Sequence, residues 1–147
     1  KAGSFEGFCS GGGLKQLAVT VGERYRQNGQ PPAFVLDGRY DAKTVAEAAR
    51  AGEAAAQEVF AICGEALGSG LSLLVDVLNP DRIVLGSIYA RCADLLAAPM
   101  RAVMGRECLP RSLGACEVVP AALGESIGDY AALALAAASA TSALPPL

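Results

Sequence analysis

The stretch that decides the fold is residues 78–86, which read LNPDRIVLG. Its proline cannot continue a helix, so a helix arriving from the N-terminal side must end at residues 79–81. The apolar, partly β-branched run that follows is bounded by proline and glycine, which is typical of a short buried strand. The chain is therefore predicted to pass directly from a helix into a strand at this point.

The helix before this stretch is predicted to be long, from about residue 53 to Leu78, and mostly buried. Its polar residues are spaced so that they form one narrow stripe: Glu58, Glu65, Ser69, Ser72 and Asp76. The rest of its circumference is apolar, which favours burial on several sides. Gly64, Gly68 and Gly70 each cost about 0.5–1 kcal/mol relative to alanine in a helix interior. They therefore indicate either close approach of another backbone or a kink.

Capping residues and apolar periodicity predict the remaining elements. Ser10 is a candidate N-cap for a helix after the glycine run, and Asp41 is a candidate N-cap for the next helix. The predicted elements are helices over about residues 11–28, 42–50, 90–104 and 126–140, and a second short strand over residues 117–120. Two strands alone do not make a stable sheet. We therefore expect an α/β lobe at residues 1–140, with further strands upstream of this sequence, and a flexible tail at residues 141–147.

Composition places the chain among globular proteins and argues against several classes of function. It is 52% hydrophobic and 18% charged over 147 residues, with a net charge of −3 and scattered lysines and arginines. A concentrated basic face is typical of nucleic-acid binding, so no such contact is expected. The longest apolar segment is interrupted by Glu65 and Asp76, which argues against a membrane span.

The cysteines indicate a reduced, cytoplasmic protein without a zinc site. There are five of them at irregular spacing, with no CxxC pair and no histidine. Short-spaced Cys or His pairs are the usual signature of tetrahedral zinc, so none is expected. Cys9 has no basic neighbour in sequence that would lower its pKa. It is interpreted as a small, buried or half-buried thiol.

Three blocks of sequence follow one another in a recognisable order. The first is E-x-x-x-S-G at residues 6–11, ahead of an amphipathic helix. The second is L-G-x-G-L at residues 67–71 together with residues 78–86, and the third is Leu123-Gly124 before an alanine-rich helix. In this order and spacing the chain resembles the C-terminal half of the ROK family, which comprises bacterial sugar kinases and repressors. The resemblance implies a helix-dominated lobe of the ribonuclease-H-like, actin-like ATPase fold, with few strands in this chain.

The resemblance also implies a function and three site residues. A ROK-type kinase uses ATP and Mg²⁺ to phosphorylate a hexose or amino sugar. The family's sugar-binding glutamate corresponds to Glu6, and a carboxylate can accept hydrogen bonds from two adjacent hydroxyls. Gly86 and Ser87 correspond to the nucleotide-binding segment, where a small residue after a strand lets a ligand approach the backbone. A plain surface charge is the alternative interpretation of Glu6.

The chain departs from the family pattern in three places. Two or three glycines are usual where Gly86 is followed by Ser87, Ile88 and Tyr89, and the two larger side chains would either crowd or line the pocket. The last cysteine of the family's zinc motif would fall at Ser4, so no metal ligand is expected. The family's Asp-x-Gly-Gly-Thr loop and catalytic base lie N-terminal to the matching region. We therefore expect no catalytic residue here, and phosphoryl transfer only together with an N-terminal lobe.

Two other functions stay open at this point. A sugar-sensing transcriptional regulator would keep the lobe without catalysis, and a helical scaffold or oligomerisation module would bind neither sugar nor ATP. The expected partners are a sugar, a nucleotide and the N-terminal lobe. A second copy is also expected, because members of the family often dimerise.

Overall fold

A computed structural model describes residues 3–140 of the chain. Eight α-helices and two strands follow one another in these residues, with a short 3-10 helix at Gly124–Ser126 before the last α-helix. The bounds are α1 Phe5–Cys9, α2 Gly11–Gln27, α3 Ala33–Leu36, α4 Ala42–Arg50, α5 Ala54–Leu78, β1 Arg82–Leu85, α6 Ser87–Glu107, α7 Pro110–Ala115, β2 Glu117–Pro120 and α8 Ile127–Ala140. The helix-dominated α/β fold class is confirmed.

The long helix α5 is the centre of the fold. It packs along α6 and also contacts α1, α2 and α4. Its buried face contributes large side chains to the core, among them Phe60 and Leu71, each 1% exposed. By length and composition α5 could also cross a membrane. Burial of one face against four other helices is instead the arrangement of a core helix.

The glycines of α5 lie where other parts of the chain come very close. A Cβ at Gly64 would lie 2.5 Å from Cγ of Pro99, and one at Gly68 would lie 2.6 Å from the carbonyl oxygen of Met100. At Gly70 an added Cβ would collide with the ring of Phe5. Close approach, rather than a kink, is therefore the reason for all three glycines.

The two strands pair with each other in parallel. Arg82 lies opposite Glu117 in this register, and the two side chains form an ion pair at 2.7 Å. Strands of four residues in a two-stranded sheet are marginal without further partners. Val84 in β1 is 59% exposed, so one face of the sheet is open. The strands are short, as expected, and they are paired.

Local signals located most of the elements correctly. Ser10 accepts a hydrogen bond from the backbone N–H of Gly13, and Asp41 accepts one from Thr44, so both predicted N-caps are confirmed. Helix α4 has the predicted bounds. The predicted helix at 90–104 is longer at both ends and is interrupted at Cys92, whose φ of −130° and ψ of 29° are not helical.

The predicted burial of α5 was wrong near its C-terminal end. Ser72 was assigned to the polar stripe but is 4% exposed, and its hydroxyl donates to the carbonyl oxygen of Gly68. Leu73, Val77 and Leu78, by contrast, are about two-thirds exposed. The last helix, α8, also exposes large apolar side chains: Ile127, Tyr130, Leu133 and Leu135. The tail predicted at residues 141–147 lies outside the described residues.

Candidate functional site

Glu6 is held by the junction between α1 and α2. Ser4 caps α1 by accepting a hydrogen bond from Gly7, and the N–H of Ser10 donates to the carbonyl oxygen of Glu6 at 3.1 Å. A Cβ at Gly13 would lie 2.5 Å from the carbonyl oxygen of Gly7, so α1 sits directly on the first turn of α2. The position of the Glu6 backbone is therefore set by two capping serines and one close contact between backbones.

The carboxylate of Glu6 faces solvent in the first turn of α1. The residue is exposed, and within residues 3–140 its side chain makes no hydrogen bond or ion pair. A carboxylate that has no partner, on a backbone that is held in place, can accept hydrogen bonds from a ligand. Ser4, which stands where the family's last zinc cysteine would fall, caps α1 instead.

Gly86 and Ser87 form the sharp turn from β1 into α6. An added Cβ at Gly86 would meet the Cβ of Ala121 at an ordinary 3.8 Å. The protein's own packing therefore does not require glycine at this position, whereas a ligand that approaches the backbone would. Ser87 has a φ of 52°, a left-handed conformation that favours glycine. Ser87 thus has a backbone conformation that glycine would adopt more easily.

Replacing Ser87 by glycine is expected to raise the free energy of unfolding by about 1 kcal/mol. A left-handed conformation costs a residue with a Cβ roughly 1–2 kcal/mol, and glycine relieves that cost, less its own loss of chain entropy. Urea denaturation of Ser87→Gly checks this expectation. Ser87→Ala keeps the Cβ and serves as the control. Equal stability of the two variants would mean that the backbone carries no such strain.

A cavity of about 520 Å³ opens beside this turn, and we call it the basic cavity. It lies where the first turns of α2, α4 and α6 meet, with the glycines of the α2 first turn and Ile88 in its wall. Its charged lining consists of Lys15, Lys43, Arg50, Arg91 and Asp41. Four cations against one carboxylate give the cavity a positive lining that suits an anionic ligand.

Existing contacts reduce the charge that is available in the basic cavity. Arg50 forms a bidentate ion pair with Asp94 at 2.7 and 2.9 Å, and this contact lowers the pKa of Asp94. Hydrogen bonds from Thr44 lower the pKa of Asp41, which keeps that carboxylate ionised as the cap of α4. Lys15 and Lys43 make no ion pair within residues 3–140. These two lysines therefore carry the cavity's unpaired positive charge.

Metal-binding side chains do not cluster in the described residues. Among residues 3–140 there is no group of three His, Cys, Asp or Glu side chains that could hold a metal ion. Mg²⁺ is usually bound through carboxylates together with the phosphates of the substrate.

The structure brings only some of the predicted site residues together. Gly86 and Ser87 lie next to Ile88, which lines the basic cavity, whereas Glu6 does not line it. Ile88 and Tyr89 are both 5% exposed, so neither projects freely into solvent. Lys15 and Lys43 were not predicted as site residues. They come from helices that are adjacent only after folding, and the helix-capping Asp41 was the one local signal near them.

Known proteins resemble this chain over most of its length. A sequence profile described as the ROK family matches residues 1–139. A glucokinase from Halalkalibacterium halodurans is 28% identical over 128 residues, which are 87% of this chain and 39% of that protein. The chain therefore spans about two-fifths of the length of this curated relative.

Two solved structures have the same fold in part. One is a ROK family transcriptional regulator, a homologue of the E. coli MLC protein, with a TM-score of 0.68 and 19% identity; the match covers 82% of this chain and 29% of that one. The other is a putative sugar kinase from Cytophaga hutchinsonii, with a TM-score of 0.67 and 20% identity, covering 76% and 38%. The profile match spans nearly the whole sequence, and this chain belongs to the ROK family.

Proposed function

We propose that this chain supplies sugar- and nucleotide-binding surface to a ROK-type sugar kinase. Such an enzyme transfers the γ-phosphoryl group of ATP to a hydroxyl of a hexose or amino sugar. The observation that carries the proposal is the basic cavity beside the Gly86–Ser87 turn. The positive lining of this cavity suits the phosphates of a nucleotide. The similarity to a glucokinase supports the kinase assignment.

The nucleotide part of the proposal rests on shape and charge. Gly11 and Gly12 at the first turn of α2 leave room in the basic cavity for a ligand close to the backbone. Gly86 lies in the wall of a second, smaller cavity, and the two cavities share Ile88. The N-termini of α2 and α4 both border the basic cavity, and helix N-termini favour anions. We propose that the base and ribose lie here and that Lys15 and Lys43 attract the phosphates. The metal-bound part of the nucleotide would lie against residues outside 3–140.

The sugar part of the proposal rests on Glu6. Its carboxylate is exposed and without a partner in the described residues, and the α1–α2 junction fixes the backbone that carries it. Adjacent sugar hydroxyls can donate two hydrogen bonds to one carboxylate, and each bond to a charged acceptor contributes about 1.5–3 kcal/mol. We therefore propose that Glu6 binds the sugar.

Calorimetric titration with a panel of sugars tests the role of Glu6. Glu6→Ala is expected to weaken sugar binding about 100-fold or more, because two charge-assisted hydrogen bonds are lost. Glu47, an exposed glutamate on α4, offers a matched control: Glu47→Ala should leave the affinity unchanged. Unchanged sugar affinity in Glu6→Ala would rule out the assigned role.

Titration with ATP tests the basic cavity separately. The double variant Lys15→Ala and Lys43→Ala is expected to bind ATP about tenfold more weakly, through loss of two positive charges near the phosphates. Arg111→Ala removes an exposed charge on α7, away from the cavity, and should have no effect. Equal ATP affinity in the double variant and the control would exclude this cavity as the nucleotide site.

A sugar-sensing regulator is the second candidate function. The strained Ser87 in place of a glycine favours it, because that residue lies in the proposed nucleotide-binding segment. Sugar binding that is lost in Glu6→Ala, together with no ATP binding, would support the regulator. A scaffold would bind neither sugar nor ATP.

We further propose that another lobe of the protein covers the exposed apolar faces. These faces are the C-terminal part of α5, the side of α8 that carries Tyr130 and Leu133, and Val84 on the open sheet. Apolar patches of this kind mark contact surfaces in soluble proteins. We propose that the N-terminal lobe covers these faces. We also propose that the protein associates with a second copy of itself. We also propose a cytoplasmic location, because the protein has free cysteines and the proposed kinase uses ATP.

A further inference from the structure

Two cysteines from different helices lie side by side, and the proposed function uses neither thiol. Cys9 ends α1, and Cys63 lies in the middle of α5. The Sγ of Cys9 is 3.9 Å from the carbonyl oxygen of Cys63, and the two residues line the same cavity. Cys9 is half-buried, whereas Cys63 is 1% exposed. One thiol of the pair is therefore open to a small reagent and the other is shielded.

The packing of α1 on α5 keeps the two thiols together. The ring of Phe5 rests on Gly70, and this contact anchors the first turn of α1. Both thiols line a cavity of about 160 Å³ whose wall also includes the Gly86–Ser87 turn. A water molecule needs about 10–15 Å³ of probe volume, so a molecule as small as hydrogen peroxide has room beside Cys9.

The two thiols differ in reactivity. The hydrogen bond with Cys63 lowers the pKa of Cys9, an effect that partial burial opposes. The same hydrogen bond, together with burial, raises the pKa of Cys63. The thiolate is the nucleophilic form, and it reacts only where a reagent can reach it. Cys9 is therefore suited to react first and Cys63 to act as the second, resolving thiol.

We propose that Cys9 and Cys63 form a reversible disulfide when the protein meets hydrogen peroxide. The Cys9 thiolate attacks one peroxide oxygen, the S–O bond forms as the O–O bond breaks, and the hydroxide that leaves takes a proton to become water. The Cys63 thiol then attacks this sulfur, the S–S bond forms and the S–O bond breaks. The second hydroxide takes the Cys63 proton and leaves as water. The cysteines lose two electrons, and the peroxide is reduced to two waters.

The disulfide would join α1 to α5 at a second point, beside the Phe5 contact. It would lie in the wall of the cavity that reaches Gly86 and Ser87. Because α1 carries Glu6, oxidation would fix the segment that we propose binds the sugar. The chemistry itself does not depend on that proposal, since it requires only the two adjacent thiols.

Peptide mapping tests the proposal directly. Trypsin cuts after Lys15, Arg50 and Arg82, so Cys9 falls on the peptide of residues 2–15 and Cys63 on that of residues 51–82, with no other cysteine in either. After treatment with hydrogen peroxide and blocking of free thiols with iodoacetamide, a cross-linked pair of these two peptides is expected. Dithiothreitol should separate the pair, as it does for an accessible disulfide.

Two variants sharpen the result. Cys63→Ala should abolish the linked pair and let Cys9 continue to sulfinic acid, because no resolving thiol remains. Cys116→Ser, at another half-buried thiol, should leave the linked pair intact. Absence of the pair in the unmodified protein would overturn the proposal, and so would a Cys63–Cys92 disulfide formed in its place. The unmodified protein gives this answer even if Cys63→Ala fails to fold.

Discussion

Replacing Gly68 by valine is expected to lower the free energy of unfolding by about 3 kcal/mol or more. An added Cβ would lie 2.6 Å from the carbonyl oxygen of Met100 and 2.8 Å from the Cβ of Val103. The first of these atoms belongs to the backbone of α6 and cannot rotate away. The two long helices must therefore separate along their shared face, and overpacking a core in this way costs about 1–3 kcal/mol or more. Urea denaturation followed by circular dichroism measures the change.

Gly105 provides the control for this prediction. It lies in α6, is exposed, and an added Cβ would meet nothing within 4 Å. Gly105→Ala is expected to raise the free energy of unfolding by about 0.5–1 kcal/mol, because alanine is the better helix former. A Gly68→Val protein as stable as Gly105→Ala would show that α5 and α6 do not pack as closely as described.

The glycines of α5 illustrate how far the sequence predicts this fold. Their cost in a helix interior indicated either a close contact or a kink, and that much follows from local chemistry alone. The partners of Gly64, Gly68 and Gly70 lie on α6 and α1, up to about 65 residues away along the chain. No local sequence pattern predicts which residues of α6 and α1 these glycines contact. The sequence therefore predicted either a close contact or a kink, and neither the choice between them nor the contacting partner followed from it.

Helix boundaries were predictable where a cap or a proline fixes them. Asp41 at the start of α4 and Asn79 at the end of α5 act within their own turn of the chain, and Asn79 adopts the left-handed conformation of a C-cap. The start of α6 was placed three residues late, because its N-cap is Gly86, which has no capping side chain to mark the boundary. Helices α1, α3 and α7 were missed because they have four to six residues, too few for a periodicity.

The candidate site was predictable only in its local parts. Gly86 and Ser87 follow a strand, so their position at a turn followed from the sequence. The basic cavity needs three helix starts to meet, and Lys15 and Lys43 are 28 positions apart. The exposed leucines of α5 were predicted as buried because apolar periodicity does not state which surface covers them, and no burial was predicted for those of α8. The surface that covers these leucines belongs to another part of the fold or to another chain.

Replacing Gly13 by alanine is expected to destabilise the protein by about 1–3 kcal/mol, although alanine favours helices. The added Cβ would lie 2.5 Å from the carbonyl oxygen of Gly7 and 2.8 Å from that of Glu6. Both atoms are backbone, so α1 must lift off the first turn of α2, at a cost typical of overpacking. The gain of about 0.5–1 kcal/mol in helix propensity offsets part of this cost. Chemical denaturation measures the net change.

The neighbouring glycine separates this steric cost from any general effect of alanine. A Cβ at Gly12 would meet the Oγ of Ser10 at an ordinary 3.7 Å, so Gly12→Ala is expected to be neutral or slightly stabilising. The same pair of variants also tests whether the α1–α2 junction positions Glu6. Gly13→Ala should weaken sugar binding without altering a side chain that touches the sugar, whereas Gly12→Ala should not. If Gly13→Ala destabilises the fold but binds sugar normally, the sugar does not depend on the position of α1, and the role proposed for Glu6 fails with it.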